Sequence, residues 1–124
     1  MTRTSPQDVA LQDYGLVEVR TAELDGITAD FLVIKQPVDM AFMLKSLPDG
    51  RCQCPHYGVV LKGGFDVQYV DRVETVNEGD WFHMTPGHVP SYQVGTELIQ
   101  FSPTDAMRAT DEAIQRSMQQ LQGT

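Results

Sequence analysis

Hydrophobic and polar residues alternate along most of the chain, in short segments separated by Gly, Pro or Asp. A period of two is typical of β-strands that bury one face. The alternation predicts strands over 16–20, 27–35, 51–62, 65–70, 73–77, 81–85, 89–94 and 97–101. Asp25-Gly26 and Gly63-Gly64 are predicted to form turns, because these residue types favour or accept tight-turn backbone conformations. Many short strands at regular spacing indicate an all-β sandwich or barrel.

Two segments do not follow this alternation. Residues 1–13 are polar, and we expect a mobile lead-in there. Residues 39–47 are ambiguous, and we favour a short helix or turn because Pro48-Asp49-Gly50 would end it.

The C-terminal segment has helix signals. Ser102 is a suitable N-cap, Pro103 suits the first helical position, and Asp105 places an acid in the first turn. Apolar residues then recur at near-helical spacing, and Gly123 follows as a stop. The pattern predicts a helix over 102–122 that packs its apolar stripe on the barrel or, alternatively, forms a dimer contact.

Length and composition favour one domain over residues 1–124, with the barrel over 15–101. The chain has 124 residues and a mass of 13.8 kDa, which suffices for an independent core. No apolar stretch approaches the ~20 residues that span a bilayer, and no signal-peptide pattern begins the sequence. We therefore expect a cytoplasmic protein with no membrane partner. The net charge is −8 with scattered Lys and Arg, which disfavours nucleic-acid binding.

The segment Cys52-Gln53-Cys54-Pro55-His56 carries the candidate chemistry. If it is extended, its two thiols and its imidazole project to the same side, since alternate residues of a strand share a face. A second histidine, His88, follows Pro86-Gly87. Soft ligands from two strands could therefore meet in a pocket.

A disulfide between the two cysteines is disfavoured. In a strand, Cα atoms two residues apart are separated by about 6.5–7 Å, at or beyond the limit for an unstrained bridge. In a reducing compartment Cys52 and Cys54 are instead expected as thiols, either metal ligands or small core residues.

The region from residue 50 to residue 101 resembles the cupin superfamily. When the first cupin motif is anchored on Gly63 as its last glycine, His56 falls on the glutamate position and Cys52 on the second histidine position. Gly50 then takes the position of the first histidine. The standard ligand set of three histidines and a glutamate is therefore altered in this chain.

The second cupin motif is matched by Gly79 and Gly87. Pro90 takes its histidine position, and His88 lies two residues earlier. The CxCPH and PGHxP signatures further resemble a subgroup of small single-domain bacterial cupins. The resemblance implies an antiparallel cupin (jelly-roll) β-barrel with a C-terminal α-helix, and a homodimer, to which an N-terminal strand over 16–20 could contribute by adding to a partner's sheet edge.

The altered motifs favour a metal-dependent enzyme that acts on a small organic substrate. His56, His88, Cys52 and Cys54 form a candidate N/S ligand set, which favours zinc as the divalent metal, with copper, nickel or iron as alternatives. His56 or His88 could instead act as acid or base, and Tyr92 is a further catalytic candidate.

Two questions stay open in the sequence. The alternation of residues 81–85 does not decide whether His83 faces the pocket. The alternative function is a small-molecule-binding cupin without metal or turnover.

Overall fold

The chain folds into two antiparallel sheets and a C-terminal helix. The computed structural model describes residues 2–122, and the helix stop predicted at Gly123 lies outside them. The described residues form ten strands: β1 (Gln12–Asp13), β2 (Val17–Leu24), β3 (Ile27–Ile34), β4 (Val38–Asp39), β5 (His56–Lys62), β6 (Gly64–Gln68), β7 (Val73–Asn77), β8 (Trp81–Met84), β9 (Val89–Tyr92) and β10 (Glu97–Pro103). Helix α1 covers Thr104–Gln122.

The strands are divided between two facing sheets. One sheet has the order β1-β2-β3-β10-β5-β8 and the other the order β4-β9-β6-β7. Val60 and Leu98 of the first sheet and Phe65 of the second are fully buried in one cluster, so the main core lies between the sheets. The predicted antiparallel jelly-roll barrel with a C-terminal helix is confirmed.

The turn between β2 and β3 forms as predicted. Asp25 and Gly26 both have positive φ, at 51° and 90°, the conformation that a two-residue hairpin connection needs. The hairpin pairs Val17 with Ile34 and Leu24 with Ile27. This register places Thr21, Asp30 and the apolar Leu32 on the inner side of the sheet.

The strand predicted over 51–62 begins later than expected, so the predicted boundary is wrong. β5 starts only at His56, after Pro55, whose ring nitrogen cannot donate a ladder hydrogen bond. Cys52 forms an isolated antiparallel bridge with His88 instead. After β4, which ends at Asp39, residues 40–46 form turns, one of the two forms expected for this segment.

The helix begins two residues later than predicted. Ser102 is not its N-cap but a residue of β10, and the Ser102 hydroxyl contacts His56. α1 packs on the barrel, where Met107 joins the buried cluster of Leu44, Cys52 and Cys54. The helix therefore closes one end of the space between the sheets.

The N-terminal lead-in contacts the barrel. β1 pairs with β2 at Val19 and Glu18, and the Arg20 guanidinium donates to the carbonyls of Pro6 and Val9 at 3.2 and 2.6 Å. In the described part of the chain, no helix is long and apolar enough to cross a membrane.

Candidate metal centre and cavity

Three buried metal-ligating side chains converge beneath helix α1. Cys52, His56 and His88 each have a ligand atom within 4.8 Å of the others. Their exposed fractions are 2%, 5% and 0%. Among the described residues this is the one group of three or more such donors, so the structure brings together three of the four side chains in the expected ligand set.

Backbone pairing brings Cys52 and His88 side by side. The Cys52 amide donates to the His88 carbonyl at 3.0 Å, and the Gly87 amide donates to the Cys52 carbonyl at 2.8 Å. Gly87 has a φ of 96°, a left-handed conformation that favours glycine. The Pro-Gly turn thus sets the bridge that holds the two donors on the same side.

His56 reaches the group from the first position of β5. Its Nδ1 lies 2.6 Å from the Ser102 hydroxyl of the neighbouring strand β10, and its Nε2 lies 3.5 Å from Cys52 Sγ. The imidazole is therefore held at one nitrogen and points its other nitrogen at the thiol. The Cys52 sulfur is also 3.3 Å from the Thr110 hydroxyl of α1.

His88 has one nitrogen bound and one unsatisfied. Its Nδ1 donates to the Thr85 carbonyl at 2.6 Å, which fixes the proton on Nδ1 because a carbonyl only accepts. Nε2 then carries a lone pair, and it is buried without a hydrogen-bond partner among residues 2–122. The His56 and His88 rings meet edge to face, with centroids 4.9 Å apart.

Burial keeps the three side chains uncharged. It lowers the pKa of His56 to about 3, with a smaller contribution from His88, and it lowers the pKa of His88 as well. Burial also raises the pKa of the Cys52 thiol, against a hydrogen bond with Thr110. Neutral imidazoles are the form that binds metal, and a bound divalent cation would deprotonate the thiol.

Cys54 lies apart from this group. It is buried, its thiol donates to the Pro55 carbonyl at 3.4 Å, and burial followed by the neighbouring Cys52 raises its pKa to about 12. The alternation argument that placed Cys54 with Cys52 and His56 required a strand through all three residues. Because β5 starts at His56, that argument does not apply.

His83 and Tyr92 occupy different environments. His83 stacks on Tyr57 with ring centroids 4.2 Å apart, on the outer side of the sheet and away from the cavity. Tyr92 is buried, packs against Phe65 at a centroid distance of 5.1 Å and lines the cavity. Burial raises the pKa of the Tyr92 phenol, so its hydroxyl keeps its proton.

A cavity of about 530 Å³ adjoins the donor group. Cys52 and His56 line it at one end, and its walls are mainly apolar, with side chains such as Leu32, Ile34 and Met107. This volume is in the range of pockets that bind small molecules. The arrangement therefore combines a ligand pocket with a set of N and S donors.

Sequence reasoning missed the polar residues that support the site. Ser102 was interpreted as a helix cap, and Thr110 was not singled out. Asp30 and Gln100 line the cavity and are each 6% exposed. A signal existed for Asp30, because it shares its strand face with Leu32 and Ile34, and a carboxyl in an inward position is unusual.

Burial raises the pKa of Asp30, against hydrogen bonds from Thr21 and Gln100. Asp111 lies on α1 at the rim of the cavity. Partial burial there, followed by the charge of Asp30, raises its pKa to about 6. The polar end of the cavity therefore holds two carboxyl groups whose ionised forms are disfavoured.

The sequence matches no family model, and no curated protein matches it. Solved structures do match. An RmlC-like cupin from Shewanella frigidimarina has a TM-score of 0.56 at 16% identity, covering 81% of this chain and 88% of that one. The polyketide cyclase RemF from Streptomyces resistomycificus has a TM-score of 0.58 at 14% identity, covering 84% of this chain and 80% of that one.

Oxalate decarboxylase of Bacillus subtilis, which has Mn(II) centres, has a TM-score of 0.62 at 14% identity. The match covers 83% of this chain and 30% of that one. At such low identities the likeness shows the fold alone. The chain has the cupin fold.

Proposed function

We propose that the protein is a metal-dependent enzyme that acts on a small organic molecule, with Cys52, His56 and His88 as the metal ligands. The observation that carries this proposal is the buried Nε2 of His88, which has no hydrogen-bond partner in the described part of the chain. Its tautomer is fixed by the Thr85 carbonyl, so Nε2 carries the lone pair that a metal would need. Leaving a buried acceptor unsatisfied costs about 1–3 kcal/mol, and a ligand to that atom removes the cost.

The donor set fits zinc best. Zinc binds thiolate and imidazole, and catalytic zinc sites use three protein ligands with one coordination position left open. Copper, nickel and iron are the alternatives, and the N/S composition makes iron the weakest of them. When bound, such a metal supplies a Lewis acid that polarises a substrate oxygen or activates a water.

The chain's own residues prepare this site. Ser102 and the Thr85 carbonyl hold the two imidazoles at Nδ1, as outer-shell partners of metal-bound histidines commonly do. The Thr110 hydroxyl contacts the Cys52 sulfur at 3.3 Å. The apolar walls of the cavity exclude water from the substrate, and Tyr92 offers a protonated hydroxyl at the wall.

Metal analysis tests the proposal. We expect purified protein to carry, or to take up, about one zinc per chain, as measured by plasma emission spectroscopy and by competition with a chromophoric chelator. His88→Ala should abolish uptake. His83→Ala is the matched control, because His83 is exposed on the outer side of the sheet. Equal zinc uptake by the two variants, or no uptake by the wild type, would contradict the proposal.

A metal-free binding protein is the second candidate. The observation in its favour is that Cys52 Sγ lies 3.5 Å from His56 Nε2, a distance at which the thiol can hydrogen-bond to the imidazole. Both groups are then satisfied without a metal. In that case the cavity binds a small molecule without turnover, and zinc titration gives no uptake.

We also propose that the protein is a homodimer that associates through the outer face of the six-stranded sheet. Tyr57, Trp81 and Phe101 are 49%, 89% and 43% exposed there. The segment over 16–20 was expected to add to a partner's sheet edge. In the structure, Glu18 and Val19 of β2 pair with β1 of the same chain instead. A broad exposed apolar face is typical of an interaction surface.

A further inference from the structure

Three polar side chains form a row across the inner face of the large sheet. Thr21 of β2 pairs with Asp30 of β3, which pairs with Gln100 of β10, and directly opposed residues share a face. All three line the cavity. The Thr21 hydroxyl donates to Asp30 Oδ1 at 2.7 Å. We call this set the polar row.

The polar row contains a hydrogen-bond acceptor that receives no hydrogen bond from the described residues. Gln100 is 6% exposed, and its Oε1 has no hydrogen-bond partner among the described residues. The Asp30 carboxyl on the paired strand interacts with the Gln100 side chain. Of that amide only the NH₂ group can donate to a carboxylate, so Oε1 remains as the acceptor.

The polar row lies next to the donor group. Gln100 and Ser102 are two residues apart on β10, so their Cα atoms are about 6.5–7 Å apart and their side chains share the inner face. Ser102 contacts His56. A molecule of a few carbon atoms could therefore reach Gln100 Oε1 from the end of the cavity lined by His56 and Cys52.

The charge of the cavity restricts what it can hold. Asp30 and Asp111 contribute two carboxyl groups, and none of the described residues that line the cavity is a lysine or arginine. In the metal-free protein an anionic ligand would find no cation to pair with, whereas a hydrogen-bond donor would meet acceptors. The rest of the wall is apolar.

We infer that the substrate is a small, mainly apolar molecule with a hydroxyl or amino group that donates to Gln100 Oε1 and Asp30. Carboxylates and phosphates bind this position more weakly than such donors. The inference rests on the proposed function in placing the substrate in the same cavity, but the polar row does not include the metal ligands.

Three probes with one carbon skeleton test the inference: cyclohexylmethanol, cyclohexylmethylamine and cyclohexanecarboxylate. Amide chemical-shift titrations of the metal-free and zinc-loaded protein give the Kd of each probe and the residues that it affects. We expect the alcohol and the amine to bind about tenfold more tightly than the carboxylate in metal-free protein. The Gln100 side-chain amide signals should be among those that shift.

Gln100→Leu removes the acceptor. It should weaken binding of the alcohol about tenfold and leave the protein folded, because leucine fills a similar space and Asp30 keeps its hydrogen bond from Thr21. Gln68→Leu is the matched control, since Gln68 is exposed on the other sheet. Equal or tighter binding of the carboxylate overturns the inference. So does an unchanged Kd in Gln100→Leu, or the absence of a Gln100 shift with every probe.

Zinc content, measured on the same samples, separates the two proposals. Zinc uptake without a preference for the alcohol or amine would overturn this inference and leave the metal site standing. A preference without zinc uptake would support the polar row and contradict the metal-dependent enzyme.

Discussion

Ser102 Oγ lies 2.6 Å from His56 Nδ1 and joins the last strand of the barrel to the candidate metal centre. Both residues are buried, at 1% and 5% exposure. When Nδ1–H donates to Ser102, Nε2 carries the lone pair and lies toward Cys52. The hydroxyl is therefore placed to orient the imidazole of a candidate metal ligand.

Ser102→Ala should weaken zinc binding without removing it. Loss of an outer-shell partner of a metal-bound histidine costs about 10–100-fold in affinity, and we expect a decrease in that range by chelator competition. Ser91→Ala is the control, since Ser91 is exposed on β9. An affinity for zinc equal to that of the wild type would show that Ser102 does not position His56.

Asp30→Asn should raise stability at alkaline pH. Burial raises the pKa of Asp30 above its ordinary value of 3.8, so the folded protein holds this proton to a higher pH than the unfolded chain does. Above that ordinary value, the free energy of unfolding therefore falls as the pH rises, until the folded carboxyl also ionises. An asparagine side chain does not ionise, and its Oδ1 can still accept the hydrogen bond from the Thr21 hydroxyl.

The measurement is the melting temperature of both proteins between pH 4 and pH 8. The advantage of Asp30→Asn should be largest at pH 8 and shrink toward pH 4. Asp66→Asn, on the exposed side of β6, is the control. A gap between Asp30→Asn and wild type that is constant with pH would mean that the Asp30 carboxyl is not destabilised by burial.

Local alternation was enough to predict most strands and an all-β sandwich or barrel, because inward and outward residues of a strand differ in burial, whereas the jelly-roll topology was implied by the resemblance to cupins. It placed β7 at Val73–Asn77, where the structure has it. The alternation argument failed at Cys52. This residue does not lie in the same strand as His56, and its position beside His56 depends on a single bridge to His88. That bridge joins distant parts of the chain, and no local pattern encodes it.

The residues that orient the candidate ligands could not be predicted from the local sequence either. Ser102 has the sequence context of a helix cap, yet the strand extends to Pro103 because β10 pairs with Ile27 and Thr28 of β3. The tertiary pairing outweighed the local capping preference. The candidate ligands could thus be chosen by residue type, while the residues that orient them depend on the sheet register.

Gly58→Ala should strongly destabilise the barrel. A Cβ atom on Gly58 would overlap the Ile99 carbonyl oxygen and lie within 3.0 Å of the Gln100 Cα. Because these are backbone atoms, β10 would have to move, and we expect a loss of about 3 kcal/mol in the free energy of unfolding. The shift would also displace the polar row.

Gly79→Ala is the comparison for Gly58→Ala. Gly79 has open space around it but a φ of 85°, so alanine there should cost about 1–2 kcal/mol from the backbone alone. Urea denaturation measures both variants. Equal losses would show that the close approach of β5 and β10 at Gly58 can relax at little cost.

The outer face of the large sheet presents a continuous row of exposed or half-buried apolar groups. Tyr57 pairs with Phe101 and Val59 with Ile99 across β5 and β10, and Trp81 opposes Val59 from β8. Directly paired residues share a face, so these side chains form one surface. A stable dimer buries about 800 Å² on each partner, and charge at the centre of such a surface disrupts it.

If the proposed dimer forms through this face, Phe101→Glu should convert it to a monomer. Light scattering should give twice 13.8 kDa for the wild type and 13.8 kDa for this variant at micromolar concentration. Val70→Glu is the control: Val70 is 83% exposed but lies just after β6, in the other sheet, and should leave the dimer intact. A light-scattering mass near that of one chain for the wild type would contradict the proposal of a dimer. A dimer unaffected by Phe101→Glu would place the interface elsewhere, because a buried unpaired carboxylate at this face would not be tolerated.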